Sequence, residues 1–320
     1  QRARRSVYPY PLNDNMTRTR KNVTYKALFL ENEYVKVCVL PEIGGRLFYA
    51  IDKTNGYDIF YHQDVIKPAN VGMNGAWISG GVEWNVFHHH RVTSHSPVDY
   101  KITENKDGSK TIWVGETEWR HRMSWAIGVT LFPGKSYMQI DGRLANTTKN
   151  SNSILFWANA STHCNDDYQI IFPQNTEFGT FHCKSSFCRW PITREPYNGT
   201  EEYKNNIDAS WWKNHPVANS IFAFDRKEDF IGGYDHGKDA GTMMVANRHI
   251  SSGGKFWLWG PNTYRLRRAL CRAHDGRLFR QPARLQLDIS LRSQNLYPIL
   301  LWNTRHEGGE AGLENRRNER

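Results

Sequence analysis

Between Trp77 and Arg91 the chain reads WISGGVEWNVFHHHR, which gathers a carboxylate, three imidazoles, two indoles and a guanidinium in one short stretch. Imidazole titrates near neutral pH and burial can tune a carboxylate upward, so Glu83 with His89 and His90 forms a candidate acid and base for proton transfer. Gly80 and Gly81 let the backbone turn sharply, and Trp77 and Trp84 offer flat faces of the kind that stack on the C–H faces of sugar rings. On a strand Glu83 and Asn85 point to the same side, so Asn85 and the nearby Arg91 join them as candidate substrate contacts. A structural role stands beside this one: Glu83 can serve only to hydrogen-bond the glycine bend, and some of His88 to His90 can be surface residues. Three successive His residues alternate faces on a strand and do not converge on one ion, so no metal is expected there. His163 with Asp166, Asp235 beside His236, and His249 add polar groups that the same cleft can collect, although Asp at a strand end is also ordinary turn chemistry. No cofactor is expected.

The elements that must position these groups read as short strands. YVKVCVL and RLFYAI flank a Gly44-Gly45 bend and lead to an Asn55-Gly56 turn. Alternating polar and apolar residues on both sides of Asp107-Gly108, and again around Pro133-Gly134, predict two further hairpins. Strands follow at Ile154 to Ala160 and Ile221 to Phe224, and AGTMMVANRHI with GKFWLWG closes the readable pattern. Turn signals at this spacing, few helix-period segments and no internal repeat predict an all-β domain, a large antiparallel sandwich. The stretch from about Gln174 to Trp212 is richer in Pro, Asn, Gly and charge and reads as long excursions over one face.

Composition narrows the class. At 320 residues and 39% hydrophobic content the chain can fill a large core. No apolar run approaches the length of a membrane span. The opening QRARRS has neither Met nor an apolar core, so no signal peptide is visible, and periplasmic or extracellular placement is left to family context. Five cysteines form an odd set, and Cys183 and Cys188 beside His182 lack the second ligand pair that a zinc site needs. The net charge of +10 is uneven: Arg265 to Arg320 holds 12 Arg, no Lys and 6 acidic residues, against 30 basic and 26 acidic residues before it. With the body nearly balanced, nucleic acid is not expected as a partner.

Three stretches carry a family resemblance. They are LENEYVKVCVLPEIGGRLFYAIDKTNGYDIFYHQDVIKPA, then GAWISGGVEWNVFHHHRVTSHSPVDYKITENKDGSKTIWVGE, and last WANASTHCNDDYQIIFP with FIGGYDHGKDAGTMMVANRHISSGGKFWLWG. Together, over roughly Val7 to Trp259, they resemble the DUF5107 family of bacterial proteins, within the galactose-mutarotase-like group that includes aldose epimerases and the sandwich domains of several glycoside hydrolases. The resemblance implies the supersandwich type of β-sandwich and a mono- or oligosaccharide ligand, handled by a hydrolase, an epimerase or a noncatalytic binding module. It departs at one point: the family has something like EFNWPQHH where this chain has Glu83, Trp84, Asn85, Val86, Phe87, His88 and His89, while His89-His90 and Arg91 are retained.

After Tyr264 the resemblance stops and Arg-rich text follows. Relatives resemble YVELMTGAYSDNQPDYSW at this point, and RAHDGRLFRQPARLQLDI, back-translated with permitted codons and read one base later, yields ELMTGAYSDNQPDYSWI. The resulting expectation is an N-terminal extension over 1–24, a sandwich over 25–264 lacking its last strands, and a tail over 265–320 that is out of frame. A second catalytic carboxylate, which a hydrolase needs, would fall in the displaced text.

Overall fold

The computed structural model describes residues 8–13, 15–17, 19–63, 65–70, 76–86, 90–181, 184–251 and 253–258, with the backbone of two more strands at 284–293 and 299–303. His88, His89, His182, Cys183, Cys271 and most of the tail lie outside the described residues. In chain order the strands are β1 (Leu28–Glu31), β2 (Val35–Leu40), β3 (Arg46–Asp52), β4 (Ala69–Asn70), β5 (Ala76–Trp77), β6 (Val82–Asn85), β7 (Asp99–Glu104), β8 (Lys110–Glu118), β9 (Met123–Leu131) and β10 (Met138–Asn146). They continue as β11 (Ile154–His163), β12 (Tyr168–Ile171), β13 (Phe178–Thr180), β14 (Phe187–Arg189), β15 (Asn219–Ala223), β16 (Phe230–Asp235), β17 (Ala240–Val245), β18 (Gly253–Leu258), β19 (Arg284–Ser293) and β20 (Ile299–Asn303). Among the described residues there is no α-helix, and no helix is long and apolar enough to cross a membrane.

Ten strands form one sheet in the order β1-β2-β3-β6-β11-β19-β18-β15-β13-β14, and five form a second in the order β20-β10-β9-β8-β7. Every pairing is antiparallel, as hairpins and meanders dictate. The expected turns stand where the sequence puts them: Gly44, Gly56, Gly108 and Gly134 all have positive φ. The tail contributes backbone to both sheets, with β19 between β11 and β18 and β20 beside β10.

Period-2 alternation divides each central strand. Val82, Trp84, Ala158, Ala160, Phe256 and Leu258 face the five-stranded sheet and share one core with its Ile112, Val114, Trp125, Ile127 and Val129. Glu83, Asn85, Trp157, Asn159, Ser161 and His163 therefore point to the opposite face of the large sheet.

The excursion over 174–212 does more than cover a face. It supplies β13 and β14 to the sheet edge and buries Tyr197, Tyr203 and Trp212 in the core. His215, fully buried, completes this part: Nε2–H donates to the Ala209 carbonyl at 2.8 Å, so Nδ1 accepts from the Tyr203 hydroxyl at 2.9 Å. Burial pushes the imidazole down to about 4. Between pH ~6.5 and 4 the unfolded chain takes up a proton that the folded chain refuses, so stability falls with falling pH by up to about 1.4 kcal/mol per unit. Urea unfolding at pH 7 and pH 5 should show this loss, and a His215→Gln variant should show a shallower pH slope, whatever its absolute stability.

Candidate functional site

The strand β6 follows a bend that only glycine can make. Gly81 has φ +62°, and a Cβ there would lie 2.3 Å from the Leu47 carbonyl oxygen. This close approach brings Glu83 in beside β3 and β11, where its side chain is 2% exposed. One carboxylate oxygen, Oε2, takes four donors: Trp77 Nε1 at 3.1 Å, Asn85 Nδ2 at 3.1 Å, His90 Nδ1 at 3.0 Å and Asn159 Nδ2 at 3.2 Å. Because a carboxylate only accepts, His90 carries a proton on Nδ1 toward Glu83, and Nε2 is the nitrogen at which the ring passes between its neutral and charged forms. The imidazole is 31% exposed and lies edge-on to Trp77 and Trp157, with ring centroids 5.9 and 5.7 Å away.

Burial alone would raise the Glu83 pKa. The charge and hydrogen bond of His90, the charge of Arg46 and the Trp77 N–H outweigh it and hold the carboxyl well below the usual carboxylate range. The balance of these influences favours the ionised form of Glu83, with burial as the opposing one. Arg46, 2% exposed, donates from Nη1 to the Gly80 carbonyl at 2.6 Å. Among the described residues its Nε and Nη2, together with Glu83 Oε1 and Asn159 Oδ1, have no hydrogen-bond partner. His95 lies within the field of Arg91, Arg46 and Glu83, and burial followed by the two guanidinium charges pushes its pKa down. Among the described residues no group of three or more His, Cys, Asp or Glu side chains is arranged to hold a metal ion.

The family model described as a domain of unknown function, DUF5107, matches residues 2–276. The chain belongs to the DUF5107 family. The match continues past Tyr264, and solved structures share the fold. A TPR-domain-containing protein from Parabacteroides distasonis is similar with a TM-score of 0.68 at 20% identity, over 92% of this chain and 50% of that one. The DUF5107 chain therefore spans half the length of that protein. A Salmonella typhimurium protein, YeaD, described as a candidate mutarotase, matches with a TM-score of 0.57 at 10% identity over 89% of each chain. A galactose mutarotase-like protein from Clostridium acetobutylicum matches with a TM-score of 0.53 at 8% identity, over 87% of this chain and 89% of that one. The fold is the galactose mutarotase-like antiparallel sandwich.

Of the residues singled out in the DUF5107 sequence, Trp77, Glu83, Asn85 and His90 come together, while His89 lies outside the described residues. Two others take structural places. Trp84 alternates away from Glu83 into the core, 1% exposed, with its indole N–H on the Gly45 carbonyl at 2.9 Å, so it presents no stacking face beside Glu83. Arg91 is 3% exposed and bonded to Gly44 O, Trp84 O, Thr93 and Glu116, with its guanidinium 4.3 Å from the Trp125 ring centroid. It ties the two sheets together, and its own N–H donates to Asn85 Oδ1 at 3.1 Å, steering the Asn85 amide toward Glu83.

Asp235 is fully buried as a turn former, accepting from Asn165 Nδ2 at 2.6 Å and from Gly237 N–H at 3.1 Å. Asp166 and His249 are exposed turn residues outside the Glu83 network. His163 shares the Glu83 face of β11 but lies four residues beyond Asn159, against Tyr57 and Tyr61. Arg46, Asn159, Trp157 and His95 were not singled out from the sequence. Asn159 reaches the site through strand register, pairing directly with Glu83, which no sequence signal shows.

Removing the charge tests this network. Glu83→Ala leaves the buried Trp77, Asn85 and Asn159 donors and the partly exposed His90 without their acceptor, and the buried Arg46 without the opposite charge that acts on it, and should cost about 3–5 kcal/mol in urea unfolding. Glu83→Gln keeps the shape and one acceptor oxygen and should cost distinctly less.

Proposed function

We propose that this chain acts on a sugar at its anomeric centre, as an epimerase that opens and recloses the ring by proton transfer through His90. The observation that carries this reading is the Glu83–His90 pair, partly exposed and edged by Trp77 and Trp157. Glu83, held ionised, fixes the His90 tautomer and stabilises the imidazolium that forms when Nε2 takes the anomeric hydroxyl proton; as the bond from C1 to the ring oxygen breaks, the imidazolium gives that proton to the departing ring oxygen, and the reverse transfers reclose the sugar on the other face of the carbonyl. His89 is assigned to the same proton-transfer group. Arg46 Nε and Nη2, Glu83 Oε1 and Asn159 Oδ1, buried and without a hydrogen-bond partner among the described residues, are donors and acceptors of the kind that ring hydroxyls match. The fold shared with a galactose mutarotase-like protein supports the substrate class.

Epimerisation is favoured over glycoside hydrolysis. Epimerisation needs a single acid–base pair, which Glu83 and His90 supply, whereas hydrolysis also needs a second carboxylate, which the sequence reading assigns to the displaced text after Tyr264. The saturation of Glu83 Oε2 by its four donors favours a second reading, a noncatalytic sugar-binding module in which Glu83 only organises the surface. We also hold the segment after Tyr264 to be out of frame, which would leave this chain an inactive product, so the assay includes a chain with the next-frame tail restored.

Interconversion of α and β anomers of glucose and galactose, followed by polarimetry, tests the proposal. The restored chain should accelerate it, and His90→Ala should lower the rate by about 10²–10⁴-fold, with Glu83→Gln also strongly impaired. Sugar binding without any acceleration would contradict the epimerase and leave the binding module.

A further inference from the structure

A second carboxylate–imidazole pair stands beside the first. Asp58 Oδ2 accepts from His62 Nδ1 at 2.6 Å, while Asp58 Oδ1 takes the backbone N–H groups of Ala50 and Phe60 at 3.4 and 3.3 Å. His62 is 31% exposed, as is His90. Its imidazole lies against two half-buried rings, Phe48 at 5.1 Å and Tyr49 at 5.4 Å between centroids. Tyr57 packs on His163 at 5.7 Å, is 9% exposed, and has a buried hydroxyl without a hydrogen-bond partner among the described residues. The charges acting on His163 are those of Asp58, Lys238, His62 and Asp235, which puts these groups in one neighbourhood.

This group is fastened to the strands that carry the Glu83 network. Tyr61 N–H donates to Ser161 O at 2.9 Å, Gly81 N–H donates to Tyr61 O at 2.7 Å, and a Cβ on Gly80 would lie 3.2 Å from the His62 Cα. Along β11 the step from Asn159 to His163 is four residues on one face, about 13 Å. That distance exceeds one pyranose ring and suits the next units of a chain of them. Half-buried rings around a charged hydrogen-bonding pair offer the apolar and polar surface that a sugar ring presents in return.

We infer that Asp58, His62, Phe48, Tyr49 and Tyr57 form a second sugar subsite, so that the ligand is an oligosaccharide extending from Glu83 toward His163. The inference rests on the carbohydrate reading of the Glu83 site. Calorimetric titration of the chain with its next-frame tail restored after Tyr264, the parent for the variants below, with glucose, galactose, maltose, cellobiose and lactose tests it. At least one disaccharide should bind about tenfold tighter than its component monosaccharide. His62→Gln and, as a second variant that keeps an apolar side chain, Phe48→Leu should abolish that gain and leave monosaccharide affinity unchanged. Equal affinity for mono- and disaccharides in the parent chain, or a gain that survives in both variants, would overturn the subsite alone. Absence of binding by all five sugars would overturn the carbohydrate reading with it.

Discussion

A single carboxylate oxygen, Glu83 Oε2, organises this face of the protein. An ion with 2% exposure is costly unless donors replace its lost water, and here Trp77, Asn85, His90 and Asn159 do so, with the Arg46 charge close enough to act on it. The four donors come from β5, β6, the segment after β6 and β11, so one charge fixes the mutual placement of four chain segments. The same charge sets the His90 tautomer, which gives a structural anchor a chemical consequence.

The surroundings make that placement possible. The positive-φ bend at Gly81 lets β6 approach the β3 backbone, and Arg91 joins the sheets through Gly44, Trp84 and Glu116 while its N–H orients Asn85. Trp84, between Glu83 and Asn85, fills the core on the other side of the strand. The apolar face of β6 thus holds the sheets together, and its polar face carries the candidate chemistry.

Most of the strand pattern was legible because turn dipeptides and period-2 alternation are local signals. Asn55-Gly56, Asp107-Gly108 and Pro133-Gly134 each mark a turn, and Glu83 and Asn85 share a face as alternation requires. Alternation also sends Trp84 to the core; its stacking capacity suggested otherwise. The place of Arg91 was not legible, since Gly44 and Glu116 lie 47 and 25 residues away in the chain. Asn159, 76 residues from Glu83, enters through strand register, which no motif encodes. The buried aromatic group around Tyr203 was hidden for a similar reason, because its Pro- and Asn-rich text resembles surface loop.

The central claim is that Glu83 is an ionised carboxylate held by donors, and its side-chain carboxyl ¹³C shift followed against pH tests this most directly. A solvated glutamate is half protonated at about pH 4.3. The account predicts that the Glu83 signal keeps its ionised value at that pH while exposed glutamates titrate. A Glu83 carboxyl that takes up its proton at or above that pH would contradict it.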